Sequence, residues 1–114
     1  MNARYREELT RLGWPLPVVH RYTVRCRWRP PKDHWPILGP KWRVVTVLLD
    51  HTEPPQHAAP DACLYLIATR RGQAEPIDVC AEGHEPIPLP STTFDARLYA
   101  GGVTWGGWIV RESD

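Results

Sequence analysis

The residues with the greatest chemical potential in this chain are four arginines in a row. Arg21, Arg25, Arg27 and Arg29 share one parity of the segment 18–29, opposite Val18, His20, Tyr22, Val24, Cys26 and Trp28. Period-two alternation of this kind predicts a strand with one cationic face and one apolar face, its same-face neighbours ~6.5–7 Å apart. Guanidinium forks in such an array bind carboxylates or phosphates bidentately. Like charges on one face also repel, so the face must be solvated or neutralised by a partner. Tryptophans surround it: Trp28, Trp35 and Trp42 flank the basic segment, Arg43 follows Trp42, and Trp108 would share the polar face of a C-terminal hairpin with Arg97 and Tyr99. Cations interleaved with aromatics suit single-stranded nucleic acid, and Trp, Tyr and Arg are also the residues favoured at protein–protein hot spots. The expected binding residues are Arg21, Arg25, Arg27, Arg29, Trp35, Arg43, Arg97 and Trp108.

Other chemistries find less support. Asp50-His51-Thr52-Glu53, with His57 downstream, has enough donors for a metal but no recognised ligand spacing. Cys80-x-x-x-His84 with Glu82 and Glu85 is a second, weaker cluster. The three cysteines, Cys26, Cys63 and Cys80, lack CxxC spacing and fall in strand-like runs, where a thiol acts as a small hydrophobe; a Cys63–Cys80 bridge stays open. Neither Ser91 nor Ser113 sits in a nucleophile elbow, and no glycine loop opens a helix to cradle phosphate. No cofactor, catalytic residue, metal or required disulfide is therefore expected.

The elements that must position these residues read as follows. Residues 2–12 predict a short helix, capped by Asn2 and ended at Gly13, with Tyr5, Leu9 and Leu12 on one face. Alone it is marginal in water, so it is expected to dock on the rest of the chain. The strand 18–29 follows, then a proline-rich loop 30–41. Residues 42–50 and 62–69 read as strands apolar on both faces, separated by a polar loop 51–61. Arg70-Arg71-Gly72-Gln73 reads as a turn into a partner strand 77–80, with Pro76 marking an edge. The strongest local signal is a hairpin over 93–110 turning at Gly101-Gly102, which would pair Leu98 with Trp105 in the core. The expected fold is mainly β, a small antiparallel barrel or sandwich in one domain spanning 1–114, with helix only near residues 2–12.

Length and charge narrow the function. The 114 residues, 42% apolar and 24% charged, suit one modest core. No run approaches the ~18 apolar residues of a membrane span, and residues 1–25 lack a signal peptide's apolar region, so a cytoplasmic protein without a membrane partner is expected. The net charge of +1 conceals a split: residues 1–43 carry ten Lys/Arg against three Asp/Glu, and residues 44–114 carry four against ten. Either these halves form opposed surfaces or they interleave and pair. A nucleic-acid binder usually has a domain pI above ~9, whereas this chain's is 7.8. The expected function is a non-enzymatic inhibitor or adaptor that engages a protein or nucleoprotein complex through its Arg/Trp-rich surface. Short chains without motifs, such as phage-encoded anti-CRISPR inhibitors, are of this general kind, though no residue here carries that comparison. The alternatives are a small nucleic-acid-binding barrel and an unrecognised small enzyme.

Overall fold

Strand β1, His20–Arg29, forms where the alternation begins, in a computed structural model that describes residues 3–114. Its even residues Tyr22, Val24, Cys26 and Trp28 are buried, and its odd residues point to the opposite face. Strand β2, Arg43–His51, pairs antiparallel with it, burying Val45, Val47 and Leu49 on the same side. Both strands lie within a residue or two of the segments expected from sequence.

Residues 51–69 depart from expectation. Instead of a loop and a strand, Pro55–Arg70 is a helix; it is α3 in chain order, after α1 (Ala3–Arg11) and the single turn α2 (Trp35–Leu38). Pro55 suits the first turn, where no N–H is needed. Ala58, Ala59, Ala62, Cys63, Leu66 and Ile67 then form one buried stripe at helical spacing. The run 62–69 is apolar on both strand faces because a helix's buried side and its partly covered flank are adjacent. Helix therefore is not confined to residues 2–12.

Strand β3, Gln73–Ala81, returns on the far side of β1, also antiparallel to it. β2 and β3 thus run parallel with β1 inserted between them, and α3 crosses over that inner strand and seals its apolar face. Pro76 is not at an edge. It lies opposite Cys26, where the register shifts and Ile77 becomes the extra residue of a bulge. Short strands β4 (Ile87–Pro88) and β5 (Phe94–Asp95) pair with β3. The last strand, β6 (Trp108–Ser113), pairs with β2. The sheet runs β4-β3-β1-β2-β6 and is open, without the closure a barrel requires. The protein is therefore mainly an antiparallel sheet with a short N-terminal helix.

The hairpin over 93–110 does not form. A turn is present, with Gly102 N–H bonded to the Tyr99 carbonyl at 3.1 Å, but residues 103–107 form no ladder and residues 108–113 pair with β2 instead of doubling back. Leu98 is 78% exposed, and Trp105 is 38% exposed with its ring against Tyr65 at 5.4 Å. The free edge of β2 offered a ladder that brings Ile109 opposite Leu49, and a local turn cannot outcompete it. The connecting segment is pinned by buried His51. The Glu53 N–H donates to its Nδ1 at 2.9 Å, so Nε2 carries the proton and donates to Asp61 at 2.6 Å. Gly106 and Gly107 lie on this pair so closely that a Cβ at either would approach the His51 ring to 3.0 Å or less.

Helix α1 matches the expected span, ended at Gly13 with φ +74°, while the expected cap Asn2 lies outside the described residues. It has no more than marginal contact with the sheet. Leu9 is buried, but Leu12, Trp14 and Val18 are exposed.

One glycine sets how α3 enters β3. Arg71 and Gly72 have φ +62° and +73°, and a Cβ on Gly72 would sit 2.1 Å from the Arg29 carbonyl oxygen. Gly83 has a similar φ of +79° but open space around it. Gly83→Ala should therefore cost ~1–2 kcal/mol, the left-handed backbone alone. Gly72→Ala should cost ~3 kcal/mol or more, because backbone must also move. Urea unfolding of the two variants checks this; equal losses would show that the contact with Arg29 is not confining.

Candidate binding surface

The odd residues of β1 lie on the sheet face that α3 does not cover, and among the described residues no other element packs across it. Their neighbours on β2 and β3 decide what each arginine can do. Arg21 sits opposite Asp50 and donates from Nε and Nη2 to both carboxylate oxygens at 2.8 and 3.1 Å. Arg25 sits opposite Asp78 and grips it in the same way, with Nε to Oδ1 at 2.9 Å. The hydrogen bonds and charge of these guanidiniums hold Asp50 and Asp78 below the usual carboxylate range, and raise both arginines. The basic and acidic halves thus interleave here rather than segregate.

The row then changes character. Arg27 faces Val44 on one side and Glu75 on the other, but Glu75 accepts a bond from the Thr93 hydroxyl at 2.9 Å, and Arg27 has no side-chain partner among the described residues. Arg29 faces an amide, donating to Gln73 Oε1 at 2.6 Å. Its guanidinium carbon lies 4.6 Å from the Trp42 ring centroid and 5.4 Å from that of Trp35, both within cation–π range. Neither contact neutralises its charge. Along β3 the facing group passes from a carboxylate gripped by its arginine, to a carboxylate that no arginine grips, to an amide. The guanidiniums at the C-terminal end of β1 therefore make no direct ion pair among the described residues, though Glu75 keeps its charge opposite Arg27.

Of the remaining expected residues, Trp35 and Arg97 belong to this end. Trp35 opens α2, its indole N–H bonded to the Pro30 carbonyl at 2.9 Å. Arg97 folds back onto Asp95, Nη2 to Oδ2 at 2.8 Å. Arg43 does not join them: the alternation of β2 places it on the α3 face, where it helps lower Asp114, and its Nη2 reaches the Leu38 carbonyl at 3.4 Å. Trp108 lies opposite Asp50, beside Arg21, at the far end of the row. That end is ~27 Å from Arg29 along β1. The eight residues therefore divide into a group around Arg21 and Arg25, both paired with carboxylates, a group around Arg27, Arg29 and Trp35 with Arg97 paired to Asp95 beside it, and Arg43 on the other face.

No family model, curated protein or solved structure matches this chain. The geometry alone carries the functional reading.

Between Trp35 and Arg97 lies a cleft of about 320 Å³ that also involves Lys32, Asp33, Arg71 and Gln73. Sequence reasoning passed over these residues because they come from three separate turns. Asp95 at its base carried one local signal: as Asp-x-Arg it accepts the Arg97 N–H at 3.0 Å, an Asx-type turn. The thiols are elsewhere. Cys63, on α3 rather than a strand, lies with Sγ 3.8 Å from that of Cys26, not near Cys80, which donates to the His84 carbonyl. The bond to Cys26 and burial push the Cys63 thiol up, away from reactivity. No cluster of three or more His, Cys, Asp or Glu side chains among the described residues is arranged to hold a metal, and no helix there is long and apolar enough to cross a membrane.

Asp95 gives the end of the sheet a measurable pH signature. Arg97, bonded to both oxygens, and Gln73 Nε2, donating to Oδ2 at 2.8 Å, hold its carboxyl well below the usual range despite burial. A depressed folded-state pKa adds stability above the unfolded value, and that stability is lost as pH falls. Asp95→Asn should lose about 1–3 kcal/mol at pH 7. Its deficit against wild type should hold down to pH ~5 and close progressively below ~4. Thermal unfolding across pH checks this; a deficit still undiminished at pH ~3 would contradict the assignment.

Proposed function

We propose that the protein is a non-catalytic binding module, an inhibitor or adaptor, that engages a protein or nucleoprotein partner through the open face of its sheet. The working part is the end carrying Arg27, Arg29, Lys32, Trp35 and Trp42. The observation that carries this reading is Arg27: a guanidinium on an uncovered face, with its facing glutamate already engaged elsewhere. A guanidinium that makes no hydrogen bond or ion pair within the sheet adds little to its stability, so its role lies with a negatively charged surface brought from outside. Arg21 and Arg25 hold the strands together and contribute less to the interface. The flat uncovered sheet, rather than a closed barrel, presents the contact area, and a cytoplasmic setting suits the three free thiols. A protein surface fits better than nucleic acid, because Trp35 and Trp42 are engaged by Arg29 rather than standing free to stack on bases.

The test is a quantitative pull-down from the source organism with the full chain as bait. Reversing two exposed charges, Arg27→Glu with Lys32→Glu, should keep the domain folded and lower the melting temperature only modestly, since the new glutamate at 27 faces Glu75. The proteins retained by the wild type should fall by about tenfold or more, which is what losing ~1.4 kcal/mol of interface produces. The same proteins captured equally by both baits would place the working surface elsewhere. A short single-stranded oligonucleotide, bound with steep salt dependence, would move the reading to nucleic acid.

A further inference from the structure

The cleft at the end of β1 and β3 has a composition that selects a ligand class. Pro30, Pro31, Trp35 and Ala96 give it apolar walls, and Lys32, Arg71 and Arg97 stand around it. Two acids are present, but neither opposes an incoming anion strongly. Asp95 is buried and saturated, accepting from Gln73 Nε2, from the Arg97 backbone N–H and from the Arg97 guanidinium. It holds Arg97 in place. Asp33 meets Arg71 only at 3.6 Å, with both side chains about 60% exposed, a loose pair that a better-placed carboxylate can replace. Lys32 has no carboxylate partner among the described residues and lies 5.7 Å from the Trp35 ring centroid.

The site is also preformed. Gly72 is wedged against the Arg29 carbonyl, Trp35 is tied to the Pro30 carbonyl, and Trp28 Nε1 bonds the Arg71 carbonyl at 2.9 Å. Little ordering is left for a ligand to impose. At about 320 Å³ the cleft is at the small end of ligand pockets, room for one ring and its attachment rather than for a cofactor. An apolar pocket of that size, with Lys32 unpaired among the described residues and Arg71 only loosely paired at its rim, matches a ring with negative charge beside it.

We infer that this cleft seats an aromatic side chain flanked by carboxylates, the anchor of an acidic segment on the protein partner. The inference rests on the binding reading above and specifies what its cationic end holds.

The experiment titrates the peptide acetyl-Asp-Phe-Asp-amide into the full ¹⁵N-labelled chain. The Trp35 indole N–H and the Arg97 backbone N–H should shift and saturate. Acetyl-Asn-Phe-Asn-amide should bind about tenfold more weakly or worse, having lost its charge-assisted bonds. Arg71→Glu, an exposed substitution that keeps the Arg71 carbonyl for Trp28, should abolish saturation. Equal binding of the amide peptide, shifts confined to other residues, or the same shifts from inorganic phosphate at equal concentration would each overturn the inference. The two readings fail separately. Should the peptide not bind while Arg27→Glu with Lys32→Glu still strips the partners, the surface stands and the cleft does not. Should the peptide saturate the cleft while that double variant keeps every partner, the cleft stands and the wider surface does not.

Discussion

β1 is the central strand of the sheet, and its strict alternation imposes two demands at once. Tyr22, Val24, Cys26 and Trp28 need a cover, and the arginines between them need compensation or water. Both demands are met by placing β1 between two strands that run parallel to each other. That topology requires a crossover, and the crossover is α3, which supplies the cover. The same arrangement brings Asp50 from one flank and Asp78 from the other to Arg21 and Arg25. Cover and charge balance thus follow from a single insertion.

The balance is incomplete at one end, and the local reason is in the register. The bulge opposite Cys26 shifts β3 by one residue and brings Glu75 and Gln73 beside Arg27 and Arg29, but Gln73 is neutral and Glu75 bonds the Thr93 hydroxyl without gripping Arg27. The turn at Gly72 then packs against the end of β1, which brings Arg71 and β5 beside the Pro30–Trp35 loop. The tight turn that joins the helix to the sheet is therefore also a wall of the cleft. On the proposed reading, stability and binding share that corner, and substitutions there affect both.

What was legible in the sequence was local. The strands at 20–29 and 43–51, the short N-terminal helix, the turn at 70–73 and the arginine row follow from alternation and turn chemistry. Long-range pairing does not. Ala62–Thr69 is apolar on both strand parities, and only Ala58 and Ala59 upstream reveal the helical stripe that the Pro54-Pro55 pair obscured. Gly101-Gly102 does turn the chain, but nothing local could show that β2 had a free edge for residues 108–113. The site was legible in its residue types and not in its division. Which arginines are neutralised depends on carboxylates 29 and 53 residues away, and Lys32, Arg71 and Asp95 meet only once three turns converge.

The central claim is that arginines on one strand face serve two ends: Arg25 supports the sheet, and Arg27 is held for a partner. Urea unfolding of Arg25→Gln beside Arg27→Gln tests it directly. The account predicts a lower midpoint for Arg25→Gln, which strands the mostly covered Asp78, and a midpoint for Arg27→Gln near wild type, since the Arg27 guanidinium makes no hydrogen bond or ion pair among the described residues. A loss for Arg27→Gln as large as that for Arg25→Gln would contradict it, because Arg27 would then be a structural partner like its neighbours.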